Sequence, residues 1–338
     1  MSLLCLSGAD VARVTLDFSP AALQTLMAHV FSVLSSGDNA ENPTSYTPHR
    51  ITIPTQNHMA LFMPARIASL PCCAGPRSNR MRPHESGAVK AILNAANLTA
   101  LRNAAGSLLS TNLVGPRGPT SIVAFGAGAQ VKEHLLLHLR AFPSIRTCTI
   151  VNRAINDRAS TLADLIRTRF PAVQTSCIAN DVTAPSAEPA LKDAVLSASL
   201  IICATSSIVP LFPSSWVADG THIVLIGSYK PTMHEIDGAL VRRAIQQRQL
   251  LVDSRAACLS EAGELIAAGV AGDEVIEIGE LVSFDADSEL VLDPARQSPQ
   301  AGVTIFKSVG VGLQDVAIAC AVVQKAEHMG LGRHVDWA

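Results

Sequence analysis

Two short stretches, one βα unit apart, carry residues whose types and spacing can hold a nucleotide. In IVAFGAGAQVKEH, residues 122–134, an apolar run breaks into Gly126-Ala127-Gly128 and then into helix-compatible chain from Ala129 and Gln130. Gly126 permits a tight strand-to-helix turn, Gly128 lets backbone approach a pyrophosphate, and the free N–H groups at the helix start favour an anion. In TCTIVNRAIND, residues 147–157, the next apolar run ends in Asn152-Arg153. An acid there would bind both ribose hydroxyls and repel a 2′-phosphate. Asn with Arg instead offers an amide to the ribose and a permanent guanidinium to the phosphate. The pair predicts NADP(H) rather than NAD(H). A lone G-x-G-x-x-G is a weak signal, and its third position here is Val131, whose bulk is expected to push helix and strand slightly apart.

Such a turn needs a sheet behind it. Apolar strand candidates recur at 121–125, 147–152, 173–178, 199–204, 222–226 and 249–253, with helical stretches such as 130–140 and 157–170 between them. Alternation of this kind, with several strands apolar throughout, predicts an α/β fold: a doubly wound parallel sheet covered on both faces. Ahead of it, Ser19 and Pro20 open an amphipathic helix, residues 35–49 read as a loop, and 50–67 as a hairpin or meander. Residues 71–86 show no apolar period and read as an irregular loop. A helical pattern over 97–114 ends at GPRGP, 115–119, the expected domain boundary. The last helix, 313–330, has no strand expected after it and is placed against the first domain.

Composition excludes several classes. The chain has 338 residues, enough for two cores, with 48% apolar and 16% charged residues and a formal charge of −2. Mean hydropathy is +0.29, yet the apolar runs break well short of the roughly 20 residues of a membrane span. The first residues lack a secretion-signal pattern, and eight cysteines at irregular spacing form neither a disulfide framework nor a metal motif. The expectations are a cytoplasmic protein without metal, membrane or nucleic-acid partner, acting on a small molecule.

Several stretches together resemble the ornithine cyclodeaminase/mu-crystallin family: PHRITIP (48–54), MPARI (63–67), LTALRNAAGS (98–107), FGAGAQ (125–130), VNRA (151–154), IGSYKPTMHEID (226–237), VDSRAACLSEAGEL (252–265) and TIFKSVGVGLQDVA (304–317). The resemblance implies a Rossmann-type domain, 115–304, inserted into a smaller α+β substrate-binding and dimerisation domain, 1–114 completed by 305–338, in a homodimer. It implies an α-amino or α-imino acid substrate whose carboxylate is held by Arg50 and Arg102, and it adds Thr205 and Gly227 to the cofactor contacts; Asn103 stands where the family commonly has Thr after that Arg, and its amide keeps a donor and an acceptor for the same contact.

Two departures sort the family's activities. The cyclodeaminase branch carries an Asp where this chain has Tyr229, whereas the branch resembling NADPH-dependent ketimine reductases lacks that Asp and carries Asn-Arg at the second strand. The family's lysine after the MPA stretch is missing, since no Lys occurs before Lys90; Arg77, Arg80 and Arg82 are the nearby charges. The expected function is therefore NADPH-dependent reduction of a small cyclic imino acid. The alternatives are a cyclodeaminase-type lyase and a non-catalytic NADPH-binding protein. Tyr229, His234 and Lys307 are candidate proton donors, and Asp315 belongs to the last helix. Glu235 and Asp237 are expected to serve only as acids at a helix start.

Overall fold

In a computed structural model of the chain, the described residues are 2–36, 45–48, 50–56, 59–67, 88–180, 188–293, 295 and 302–336. The chain opens with strand β1 (Ser2–Leu6), helix α1 (Gly8–Leu16) and helix α2 (Pro20–Ser35), the last capped by the Ser19 hydroxyl accepting from Ala22 N–H, as the sequence predicts. A hairpin follows, β2 (Ile51–Pro54) antiparallel to β3 (Met59–Phe62), and then β4 (Ala91–Leu93) beside β1. The loop read at 71–86, with Arg77, Arg80 and Arg82, lies outside the described residues.

Helix α3 (Leu98–Val114) leads into the main sheet. Its strands are β5 (Ser121–Phe125), β6 (Thr147–Asn152), β7 (Gln174–Ala179), β8 (Leu200–Cys203), β9 (His222–Leu225), β10 (Leu250–Val252), β11 (Ile276–Glu277) and β12 (Thr304–Lys307). All pair in parallel, in the order β11-β10-β12-β9-β8-β5-β6-β7. Successive residues of one strand enter different cores. Ile122 and Ala124 pack toward α3 and α4 (Ala129–Ala141), whereas Val123 and Phe125 pack toward α6 (Glu188–Leu196) and α7 (Gly238–Gln246). Burial on both faces explains why these strands read as unbroken apolar runs.

Strand order corrects two expectations. β12 threads between β9 and β10, so the sheet runs on to Lys307 and the boundary expected at 304/305 falls inside a central strand. The final helix, α10 (Gly312–Met329), contacts α1, α2 and α3, but β13 (Arg333–Asp336) follows it and pairs with β1. Strands of four or five residues that complete a sheet from distant parts of the chain leave little local pattern.

Polar residues on α3 have partners rather than solvent. Ser107, Ser110 and Thr111 meet Nε2 of His134, His222 and His138 at 2.9, 3.1 and 3.2 Å, and the three rings are fully buried. Their Nδ1 atoms lie 2.7, 2.7 and 2.8 Å from Gln130 O, Thr304 Oγ1 and His134 O. Burial holds the imidazoles neutral, lowering their pKa values to about 3 for His134 and His222 and about 4 for His138. No helix among the described residues is long and apolar enough to cross a membrane.

Candidate active site

Strand order reverses between β5 and β8, and a cleft of about 650 Å³ opens outside their carboxyl ends, where a doubly wound sheet binds ligands. Its floor is Gly126, Ala127 and Gly128. Gly126 has φ +108°, and a Cβ on it would lie 3.0 Å from Ala204 O and 3.3 Å from the Val131 side chain. Val131 thus packs over the glycine within the core. Gly128 is the N-cap of α4 without a side-chain cap bond, and a Cβ there would meet nothing within 4 Å. Open space therefore faces Gly128 at the start of α4, while Ala129 and Gln130 are not among the lining residues. These features fit a pyrophosphate.

One side of the cleft carries positive charge. Asn152 donates through its amide to Ala154 O at 2.9 Å, fixing the turn from which Arg153 projects. Arg158, in the first turn of α5 (Asp157–Arg169), lines the same cleft. Sequence reading missed it because a four-residue turn, 153–156, separates the strand end from its helix; the cue was an arginine just inside a helix capped by Asn156. Both guanidiniums are exposed and neither pairs with a carboxylate among the described residues. Residues 204–211 form the opposite wall, Thr205 included. Gly227 and Asn103 are not among the lining residues: Gly227 packs on Thr205, and Asn103 accepts from Arg102.

At the neighbouring strand ends Arg50 and Arg102 meet on one turn. Arg50 Nη2 donates to Val309 O and Gly310 O at 2.9 and 3.0 Å, and a Cβ on Gly310, at φ +82°, would lie 2.5 Å from Arg102 Nη1. Asp253 fixes that turn by accepting from the Ser308 hydroxyl at 2.6 Å and from Gly310 N–H at 2.7 Å. Each arginine also has an internal carboxylate: Glu261 at 2.9 Å from Arg50, and Asp315 bonded to Arg102 at 3.1 and 3.3 Å. Arg102, 3% exposed, bonds Gln314 as well. Two guanidiniums from separate parts of the chain thus converge on the turn after β12.

The candidate proton donors separate. Tyr229 is 43% exposed just beyond β9, with the Lys230 ammonium 5.6 Å from its ring centre, and His234 is half-buried. The expectation for Lys307 is corrected: its side chain is completely enclosed, and Nζ lies 3.1 Å from Glu264 in an ion pair without hydrogen-bond alignment. Burial alone would lower its pKa; the carboxylates of Glu264 and Glu235 outweigh that and raise it. An enclosed ammonium that holds its proton more tightly than usual is not a donor to substrate. The reading of Glu235 is corrected too. Asp237 does cap α7, through Leu240 N–H at 2.8 Å, but Glu235 is fully buried and accepts from Thr205 and Gly227. No group of three or more possible metal ligands occurs among the described residues.

A family model, described as the ornithine cyclodeaminase/mu-crystallin family, matches residues 81–330. The chain is 30% identical to the mouse (Mus musculus) ketimine reductase mu-crystallin over 234 residues, which are 69% of this chain and 64% of that protein. It is 33% identical to an iminosuccinate reductase of Paracoccus denitrificans over 257 residues, 75% of this chain and 71% of that one. Among solved structures, a Δ1-pyrroline-2-carboxylate reductase of Thermococcus litoralis, in complex with NADH and L-proline, superposes with a TM-score of 0.76 at 21% identity, covering 98% of this chain and all of that one.

Proposed function

The chain belongs to the ornithine cyclodeaminase/mu-crystallin family, and from that premise we propose that it is an NADP(H)-dependent reductase of small cyclic α-imino acids, acting as a homodimer. The convergence of Arg50 and Arg102 on the Gly310 turn, beside a dinucleotide cleft, carries the reading. When bound, the reduced cofactor supplies the hydride. The protein's own part is to hold the substrate: guanidinium donors grip its carboxylate in charge-assisted bonds, each worth about 1.5–3 kcal/mol, and turn its C=N carbon toward the cleft. With Lys307 enclosed, the proton comes from Tyr229, from His234 or from the substrate's own iminium form.

Arg153 and Arg158 support the 2′-phosphorylated cofactor, since two unpaired cations at the ribose end of the cleft attract a phosphate dianion. Tyr229 in place of an Asp favours reduction over cyclodeamination. The homodimer is supported by the β2–β3 hairpin. Ile51, Ile53 and Phe62 share one of its faces and are 48–55% exposed, and a two-stranded ribbon with an open apolar face is marginal without a partner.

The test is NADPH oxidation with five- and six-membered cyclic imino acids, run beside NADH, and ammonia release from ornithine. Turnover of an imino acid with NADPH preferred supports the proposal. Inertness toward all such acids, or ammonia and proline from ornithine, overturns it.

A further inference from the structure

We infer, on the reading that the cleft holds a nicotinamide dinucleotide, that Glu235 is a positioning residue for the cofactor: its buried carboxylate ties the wall formed by residues 205–211 to the turn after β9. Oε1 accepts from Thr205 N–H at 2.7 Å and from the Thr205 hydroxyl at 3.0 Å, while Oε2 accepts from Gly227 N–H at 2.7 Å. One side chain thereby bridges the ends of two adjacent strands, β8 and β9. The two turns touch so closely that a Cβ on Gly227 would lie 1.9 Å from Thr205 O. Main chain on either side adds to the clamp, with His234 N–H donating to Ser207 O and Leu211 N–H to Glu235 O, each at 2.9 Å.

The wall needs a polar clamp because burial does not hold it. No residue from Ala204 to Leu211 is buried, and Ile208 and Val209 at its tip are 68% and 57% exposed. Thr205, Ser207 and Leu211, the three points gripped by His234 and Glu235, all line the cleft. A carboxylate with no solvent contact is costly to bury. Here three donors and the positive charge of Lys307 on β12 offset part of that cost, against burial and Glu264 on α9 (Gly263–Ala267), the other acid of the cluster. Glu235 is enclosed and lines no part of the cleft, so it acts through Thr205 and Gly227.

The test is Glu235→Gln in the full chain. An amide keeps the shape but turns an N–H donor toward one of the three N–H and O–H donors it faces. Dissociation constants for NADPH and NADH, read by titrating cofactor fluorescence, are expected to rise together by about tenfold. Turnover at saturating cofactor should stay within about twofold of wild type. A purely structural role would lower the melting temperature and leave the affinity of the folded fraction unchanged, and that result overturns the inference. If wild type binds neither cofactor, the dinucleotide reading itself has failed. Should the variant not fold, hydrogen exchange of the wild-type 205–211 segment without cofactor carries the test. Protection of the Thr205, Leu211 and Gly227 amides comparable to β8 is expected, and exchange at the rate of a free loop refutes the clamp.

Discussion

Acid should unfold this protein through His134, His138 and His222. An unfolded imidazole with pKa 6.5 is about nine-tenths protonated at pH 5.5, whereas the buried rings, at about 3, 4 and 3, remain neutral. Their folded values are depressed, so the unfolded state binds more protons and stability falls as pH drops below 6.5. Three rings give an uptake of about 2.7 protons on unfolding at pH 5.5, a slope of roughly 3.7 kcal/mol per pH unit. Between pH 7.5 and 5.0 the loss is about 2 kcal/mol per ring and roughly 6 in all, comparable to the whole stability of many domains. Glu235 opposes this trend, since burial raises its pKa and the folded state takes up that proton first. Urea unfolding followed by circular dichroism at pH 7.5, 6.5, 5.5 and 5.0 measures the slope. His222→Gln should reduce the uptake by about 0.9 proton while the other two rings remain. A stability that is flat between pH 7.5 and 5.0, or a slope untouched by that substitution, would refute the argument that these rings stay neutral inside the fold.

Three further outcomes follow from the site. Replacing Arg153 and Arg158 together by Ala should raise KM for NADPH by about 10- to 100-fold and leave that for NADH within about threefold, because both side chains are exposed and each contact stays near the low end of its range; parallel changes for both cofactors would remove the phosphate role. Arg102→Ala leaves Asp315 and Gln314 without their cation, so a loss of about 2–4 kcal/mol in urea unfolding should accompany the loss of turnover; unchanged stability would show that this network contributes little. Ile51→Asp combined with Phe62→Asp should convert a dimer into a monomer at micromolar concentration by light scattering, and an undiminished mass would rule out the hairpin as the contact.

The sequence by itself determined whatever depends on near neighbours. Apolar runs wet on neither face announced a parallel sheet, Ser19-Pro20 announced the start of α2, and Gly126-Ala127-Gly128 followed by Asn152-Arg153 announced a glycine turn and a cation that line one cleft. Tertiary structure decided what depends on distant partners. A short TIFK segment reads as the approach to a turn until its central place between β9 and β10 is seen, and that same place encloses Lys307. Glu235 and Asp237 look alike in HEID. Only packing sends one to cap a helix and the other into the core to join two loops. Arg50 and Arg102 are 52 residues apart and share no local pattern. They meet because the chain returns, after the sheet is complete, through the Gly310 turn. Local periodicity records which face of an element is dry, whereas a site's charges are brought together by the order in which strands are laid side by side.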